Sequence, residues 1–144
     1  MEVLHLSQFL AQQLEAGELE LGKLSGQVTY QDPCRLGRYL GVYDEPRRVM
    51  AALGLELAEM EDHRGRALCC GTSAWTHCGA TAKSIQVDRL RQARATGAET
   101  LVTACAKCQI HFKCAMDDMQ LGDEIGIEVK DLTTLVAEAL DRRT

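Results

Sequence analysis

The sequence predicts an α/β fold, with a small parallel sheet of about four to five strands and flanking helices. Short apolar segments alternate with amphipathic segments of about ten residues or more, as in strands joined by crossover helices. Hydrophobic residues make up 46% of the chain and charged residues 26%, which excludes intrinsic disorder. The 144 residues suit a single domain, 1–144, in which 1–24 form an N-terminal helix and connecting segment.

The helices are predicted from apolar spacing and from residues that favour helix ends. The first helix carries an apolar stripe that ends at Gly17 and that we expect to pack on the domain's own sheet: Val3, Leu6, Phe9, Leu10 and Leu14. Pro46 opens a second helix, with Asp44 as its candidate cap, and Gly54 ends it. Three more helices are predicted over residues 80–95, 107–120 and 132–140.

The strands are predicted from short apolar segments. The first covers residues 28–30 and stops before Asp32-Pro33, because proline interrupts regular structure. Residues 101–103 form the strongest candidate and residues 66–69 a short buried one. Residues 55–60 and 127–129 complete the set.

The chain has seven cysteines, an odd number that disfavours a simple disulfide framework. Neither a secretory signal nor an apolar run of about 20 residues is visible. We therefore expect a cytoplasmic protein with reduced thiols and no direct membrane insertion. Clustered cysteines in a reducing compartment typically bind metal or carry out redox chemistry.

Five cysteines follow three predicted strands, at the sheet edge where open α/β sheets bind ligands: Cys34, Cys69, Cys70, Cys105 and Cys108. Thiolates are the ligands that iron–sulfur clusters and zinc prefer, so both remain open, although a structural zinc site closes with four ligands. The helix start near Cys105 supplies free N–H groups, and Lys107 adds a positive charge. Cys78 and Cys114 are interpreted as small buried apolar side chains.

Charge and composition exclude other classes of function. The net charge of −5 and the aromatic content of 4% argue against nucleic-acid binding. No flavin or nucleotide fingerprint is present, since Gly71 and Gly79 fit no phosphate loop. Electrons must therefore come from another subunit.

The pattern Cys34, then Cys69-Cys70-Gly71, then Cys105-x-x-Cys108 resembles the cysteine-rich CCG domain, and segments 32–38, 46–47, 55–60 and 96–104 match too. That domain occurs in the B and D subunits of heterodisulfide reductase and in iron–sulfur subunits of glycolate, lactate and anaerobic glycerol-3-phosphate oxidation systems. The resemblance implies that the five cysteines hold a non-cubane four-iron, four-sulfur cluster that reduces a disulfide one electron at a time. It also implies a partner, a larger iron–sulfur or flavin-containing redox subunit, which could bring the chain to a membrane.

Several residues are expected to surround these ligands: Gln31, Pro33, Gly71, Trp75 and Lys107. Gln31 stands where many relatives have histidine, and the residues after Gly71 lack the glycines of relatives, so Trp75 is interpreted as a lid over an opening near Cys69-Cys70. Two alternatives to disulfide chemistry stay open. One is an electron relay in a dehydrogenase or respiratory complex, and the other is a zinc-stabilised structural domain.

Overall fold

The computed structural model describes residues 1–71 and 78–142. Within these ranges it contains four strands: β1 (Gln27–Gln31), β2 (Glu56–Leu57), β3 (Thr100–Thr103) and β4 (Glu128–Asp131). All three pairings are parallel, and the strand order is β2-β1-β3-β4. The predicted α/β class with a small parallel sheet is therefore confirmed.

Five α-helices flank the sheet in the described ranges: α1 (Leu6–Glu15), α2 (Asp44–Ala52), α3 (Ala80–Ala95), α4 (Ala106–Met119) and α5 (Leu132–Asp141). Three short turns join them, a π-helical turn at Arg35–Tyr39 and 3₁₀ turns at Arg64–Arg66 and Gly122–Glu124. None of these helices is long and apolar enough to cross a membrane.

The sheet separates two apolar layers, because successive strand residues point to opposite faces. Val28, Tyr30 and Val102 face the layer formed with α1, α2 and α5. Leu101 and Val129 face the layer formed with α3 and α4, which also contains Cys70 and Cys108. The thiols of Cys70 and Cys108 thus lie at the edge of a packed core.

Two helices differ in detail from the sequence prediction. Asp44 is the first helical residue of α2 rather than its cap, and it places a carboxylate beside the positive helix end. The apolar stripe of α1 packs on the core only in part: Leu10 and Leu14 contact the layer that contains Val28 and Tyr30, whereas Leu6 and Phe9 are each 47% exposed. The small residues Ser7 and Ala11 are buried instead, and α1 packs against α2.

Residues 66–69 do not form the predicted strand. Arg66 ends the 3₁₀ turn and residues 67–69 are irregular backbone, for which distant side chains take the place of sheet partners. The Arg38 guanidinium donates to the Ala67 carbonyl at 2.7 Å, and the Gln31 amide donates to the Leu68 carbonyl at 3.0 Å. Buried backbone groups need a partner, and here these side chains supply it.

Candidate functional site

Two of the five candidate cysteines occupy the predicted positions at strand ends. Cys34 follows β1 and begins the π-helical turn, and Cys105 follows β3 and precedes α4. Cys69 and Cys70 come from the irregular segment rather than from a strand. The expectation that three strands deliver the cysteines is therefore right for two of the three groups.

The structure connects the five thiols by pairwise interactions in the order Cys34, Cys69, Cys70, Cys108 and Cys105, and we call this series the thiol line. Cys108 is hydrogen-bonded to both Cys105 and Cys70, and Cys69 is hydrogen-bonded to Cys70. Cys34 interacts electrostatically with Cys69 and lines the same cavity. The pattern read from the sequence therefore corresponds to one continuous thiol centre.

The start of α4 stabilises negative charge on the Cys105 sulfur. A hydrogen bond from the Cys108 thiol lowers the pKa of Cys105 to about 5, against the opposing effect of burial. The backbone N–H groups of Cys108 and Lys107 also donate to this sulfur, as free N–H groups at a helix start do. Lys107 thus contributes through its backbone N–H group.

The middle of the line is protected from solvent. Cys70 is 6% exposed and Cys108 is 3% exposed, whereas Cys34, Cys69 and Cys105 are half-buried. Hydrogen bonds to Cys105 and Cys70, together with burial, raise the pKa of Cys108. Burial also raises the pKa of Cys69, while an N–H group of Gly71 partly offsets it.

A cavity of about 210 Å³ opens beside the Cys34 end of the thiol line and is lined by Cys34 and Cys69. Its other lining residues come from the π-helical turn, namely Arg35, Arg38 and Tyr39. Trp75, the predicted lid, lies outside the described residues. The opening that the structure describes is therefore on the Cys34 side of the cysteine pair.

Gln31, Pro33 and Gly71 each have a positioning role. The Gln31 side chain joins the end of β1 to Leu68, the residue before the cysteine pair. The Pro33 carbonyl accepts a 2.8 Å hydrogen bond from Gly37 and so starts the turn that follows Cys34. Gly71 has φ +94, and a Cβ there would lie 2.6 Å from both the Ala82 carbonyl oxygen and Gln86 Cγ. Glycine at position 71 therefore permits close approach of α3.

A buried ion pair fixes the segment that leads into Cys34, and the sequence interpretation missed it. The Arg47 guanidinium donates two hydrogen bonds of 2.8 Å to the Asp32 carboxylate and two more to Glu59. The same Asp32 carboxylate accepts a 2.7 Å hydrogen bond from the backbone N–H of Arg64. Asp32 and Arg47 both stand in matched segments, but sequence spacing alone does not reveal that they pair.

Cys114 and Cys78 are not the buried apolar side chains that the sequence predicts. Both are half-buried, and each has a polar partner. Lys83 Nζ lies 2.9 Å from the Cys114 sulfur and 2.7 Å from Asp118 Oδ2, and the Gln86 amide donates to the Cys78 sulfur at 3.0 Å.

The fold and the site together define a parallel α/β domain with a line of thiols at the carboxyl edge of its sheet. Residues 28–113 match the model of the family described as "Cysteine-rich domain" (CCG). The chain therefore belongs to the cysteine-rich CCG domain family, as the sequence resemblance predicts.

Three similar proteins have the names of redox proteins or of subunits of redox enzymes. The chain is 38% identical over 96% of its length to a "Probable membrane-anchored ferredoxin" of Chromohalobacter salexigens, and it spans 21% of that protein. It is 33% identical over 99% of its length to the D subunit of a heterodisulfide reductase of Methanosarcina barkeri, of which it spans 35%. It is 36% identical over 96% of its length to "Probable iron-sulfur-binding oxidoreductase FadF" of Bacillus subtilis, of which it spans 20%. The chain thus covers about a third or less of each of these relatives.

Proposed function

We propose that this chain is the iron–sulfur domain of an oxidoreductase related to heterodisulfide reductase. Its ligands would be Cys34, Cys69, Cys70, Cys105 and Cys108, which would hold a non-cubane four-iron, four-sulfur cluster. The observation that carries the proposal is the continuous line of thiols at the carboxyl edge of the sheet. The names of the relatives support an iron–sulfur group in a redox protein.

The donor set fits such a cluster better than one zinc ion. Iron–sulfur clusters take thiolate ligands and are tuned by hydrogen bonds to sulfur, and backbone N–H groups donate to both Cys105 and Cys69. Five thiols exceed the four ligands of a closed zinc site. In the ranges 1–71 and 78–142, no three Cys, His, Asp or Glu side chains are arranged to hold a single ion. The number of thiols therefore favours a cluster of several metal atoms over one zinc ion.

The reaction we infer is reduction of a disulfide beside the cluster. When bound, an iron–sulfur cluster supplies single electrons, and a disulfide needs two electrons and two protons to become two thiols. The 210 Å³ cavity between Cys34 and Cys69 gives a small molecule access to this end of the thiol line. Among the described residues Cys70 and Cys108 are themselves buried, so we propose that the substrate enters through this cavity.

The inferred electron donor is a partner protein. The heterodisulfide reductase relative is by its name one subunit of a larger enzyme, and we propose that this domain also works with a larger iron–sulfur or flavin-containing redox subunit. The name of the ferredoxin relative fits membrane association through such a partner. Co-expression with the neighbouring genes, followed by purification through this chain, should yield that subunit in the same complex. A chain that reduces disulfides with a chemical donor and binds no neighbour would contradict this part.

Metal analysis of anaerobically purified protein tests the cluster. Iron and acid-labile sulfide should be present in comparable amounts with little zinc. Stoichiometric zinc without sulfide would refute the proposal.

A second experiment separates disulfide chemistry from electron relay. Dithionite-reduced protein is mixed with bis(2-hydroxyethyl) disulfide, and both the electron paramagnetic resonance (EPR) spectrum and released thiol are followed. Disulfide reduction predicts oxidation of the cluster with one thiol released per electron. Ferricyanide serves as the control oxidant. Oxidation by ferricyanide but not by the disulfide would favour the relay.

A further inference from the structure

Arg89 of α3 is a buried cation close to the thiol centre. Its side chain is fully buried, at 0% exposure. Nε donates to Gln31 Oε1 at 2.5 Å, and Nη1 donates to the Asp62 carbonyl at 2.7 Å and to Gln92 Oε1 at 2.5 Å. All three acceptors are uncharged, so these hydrogen bonds hold the guanidinium in place without neutralising it.

Within the described ranges, the charge of Arg89 has no directly bonded counter-ion. Its buried Nη2 has no hydrogen-bond partner among the described residues. The carboxylates of Asp32, Asp62 and Glu59 favour the charge electrostatically, but Asp32 and Glu59 are bonded to Arg47 and Asp62 accepts a hydrogen bond from Gln92. Burial lowers the pKa of Arg89 to about 10, which leaves it protonated at neutral pH. A buried charge is costly unless an anion compensates it, so this position calls for an anion.

The thiol centre is the site where such an anion would form. Arg89 interacts electrostatically with Cys108. Through Gln31 it is also linked to the Leu68 carbonyl, next to Cys69. An iron–sulfur cluster held by thiolates carries negative charge, and charge near a cluster is one determinant of its reduction potential.

We propose that Arg89 is the internal counter-cation of the thiol centre and raises the reduction potential of the cluster bound there. Reduction adds one electron and therefore one negative charge, which a buried guanidinium stabilises more strongly than an exposed cation does. Arg89 is a positioning residue in this role, since it acts on the cluster through its charge and through Gln31. The inference rests on the proposed iron–sulfur function.

The test compares three variants of the full chain. Arg89→Gln removes the buried charge, and Arg89→Lys keeps it. Arg91→Gln is the matched control, because Arg91 lies on the same helix but is half-exposed and pairs with Glu124 and Asp88. Iron and sulfide content are measured first, and the midpoint potential is then followed by EPR during titration with dithionite.

Arg89→Gln should shift the ratio of oxidised to reduced cluster at least tenfold toward the oxidised form at a fixed potential. For a one-electron couple this corresponds to a midpoint about 59 mV lower. Arg89→Lys and Arg91→Gln should stay within about threefold of wild type, because they keep the buried charge or remove a screened one. An unchanged midpoint in an Arg89→Gln protein with full cluster content would overturn the inference.

Loss of the cluster in Arg89→Gln is also informative. If the metal-free variant melts like metal-free wild type, and Arg89→Lys keeps its iron, the buried charge is needed to retain the cluster and the inference stands. If both variants lose iron, the guanidinium shape rather than its charge matters, and the inference fails. Wild-type protein without iron and sulfide would instead refute the proposed function, and the wild-type measurement alone identifies that case.

Discussion

The side-chain amide of Gln31 donates a 3.0 Å hydrogen bond to the carbonyl of Leu68, across 37 positions of the chain. This bond ties the end of β1 to the irregular segment that carries Cys69 and Cys70. Gln31 is 1% exposed, so its polar atoms depend on protein partners. Side-chain hydrogen bonds from Gln31 and Arg38 therefore hold the segment that carries the cysteine pair, in place of the backbone hydrogen bonds of a paired strand.

Replacing Gln31 with leucine should destabilise the protein. The Leu68 carbonyl and Arg89 Nε would both lose a buried partner, and each unsatisfied group costs about 1–3 kcal/mol. The free energy of unfolding in urea should fall by about 2 kcal/mol or more. Gln12→Leu on the exposed side of α1 is the control and should change it by less than about 0.5 kcal/mol. Equal effects in the two variants would show that Gln31 does not anchor the segment.

Local patterns predict much of the fold, but they do not predict the irregular backbone that leads into the cysteine pair. The prediction for α3, residues 80–95, agrees with Ala80–Ala95 because apolar spacing and the glycine after it are local signals. The prediction for residues 66–69 is wrong because their carbonyl partners, Arg38 and Gln31, lie 29 and 37 positions from Ala67 and Leu68. The sequence immediately around residues 66–69 contains neither Arg38 nor Gln31.

Charged residues in helices give the other misleading signal. An arginine on a helix is usually on the surface, so the sequence does not reveal Arg89 as part of the core. In α1 the large apolar residues predict the buried face only in part, because Leu10 and Leu14 pack on the core whereas Leu6 and Phe9 are exposed. The small side chains of Ser7 and Ala11 are buried there, because they let α1 approach α2 closely. The five candidate cysteines can be found because their spacing is visible in the sequence, whether a strand or irregular backbone holds them.

Removing the charge of Asp32 should be more damaging than removing that of Asp44. Asp32 and Arg47 form a pair whose side chains are 2% and 9% exposed, and breaking a buried pair costs about 3–5 kcal/mol. Because Glu59 still bonds Arg47, Asp32→Asn should cost about 3 kcal/mol in chemical denaturation. Asp44→Asn removes an exposed pair with Arg64 and should cost less than about 1 kcal/mol. Similar losses would contradict a special role for the Asp32 pair.

Gly71→Ala should prevent the close approach of the segment after the cysteine pair to α3. The added Cβ would meet the Ala82 carbonyl oxygen and Gln86 Cγ at 2.6 Å, in addition to the strain of a positive φ. Gly17 is the matched control, because its φ is +71 and nothing lies within 4 Å of the position that a Cβ would take. Gly17→Ala should cost only the backbone strain, about 1–2 kcal/mol. Gly71→Ala should lower the melting temperature further and reduce iron content, and equal melting temperatures would contradict the packing argument.

Cysteine substitutions should separate the thiol line from the remaining cysteines. Cys70→Ser removes the sulfur that is bonded to both Cys108 and Cys69, so we expect loss or rearrangement of the cluster. Cys114→Ser should keep iron and sulfide at the wild-type level, because that thiol contacts Lys83 and Asp118 instead. Iron content and the EPR spectrum of anaerobic protein measure both. Equal loss of iron in the two variants would show that the ligand set is wrong.

Alkylation of the reduced, metal-free protein should follow the burial of the thiols. Cys34 faces the cavity beside Cys69, whereas Cys108 is 3% exposed and hydrogen-bonded to two other thiols. Iodoacetamide should therefore modify Cys34 at least about tenfold faster than Cys108, as peptide mass spectrometry would measure. Cluster loading should protect both thiols and leave Cys114 reactive, which makes Cys114 the internal control. Unchanged Cys34 reactivity after iron and sulfide are bound would remove Cys34 from the ligand set and would leave Cys69 as the one proposed ligand beside the cavity.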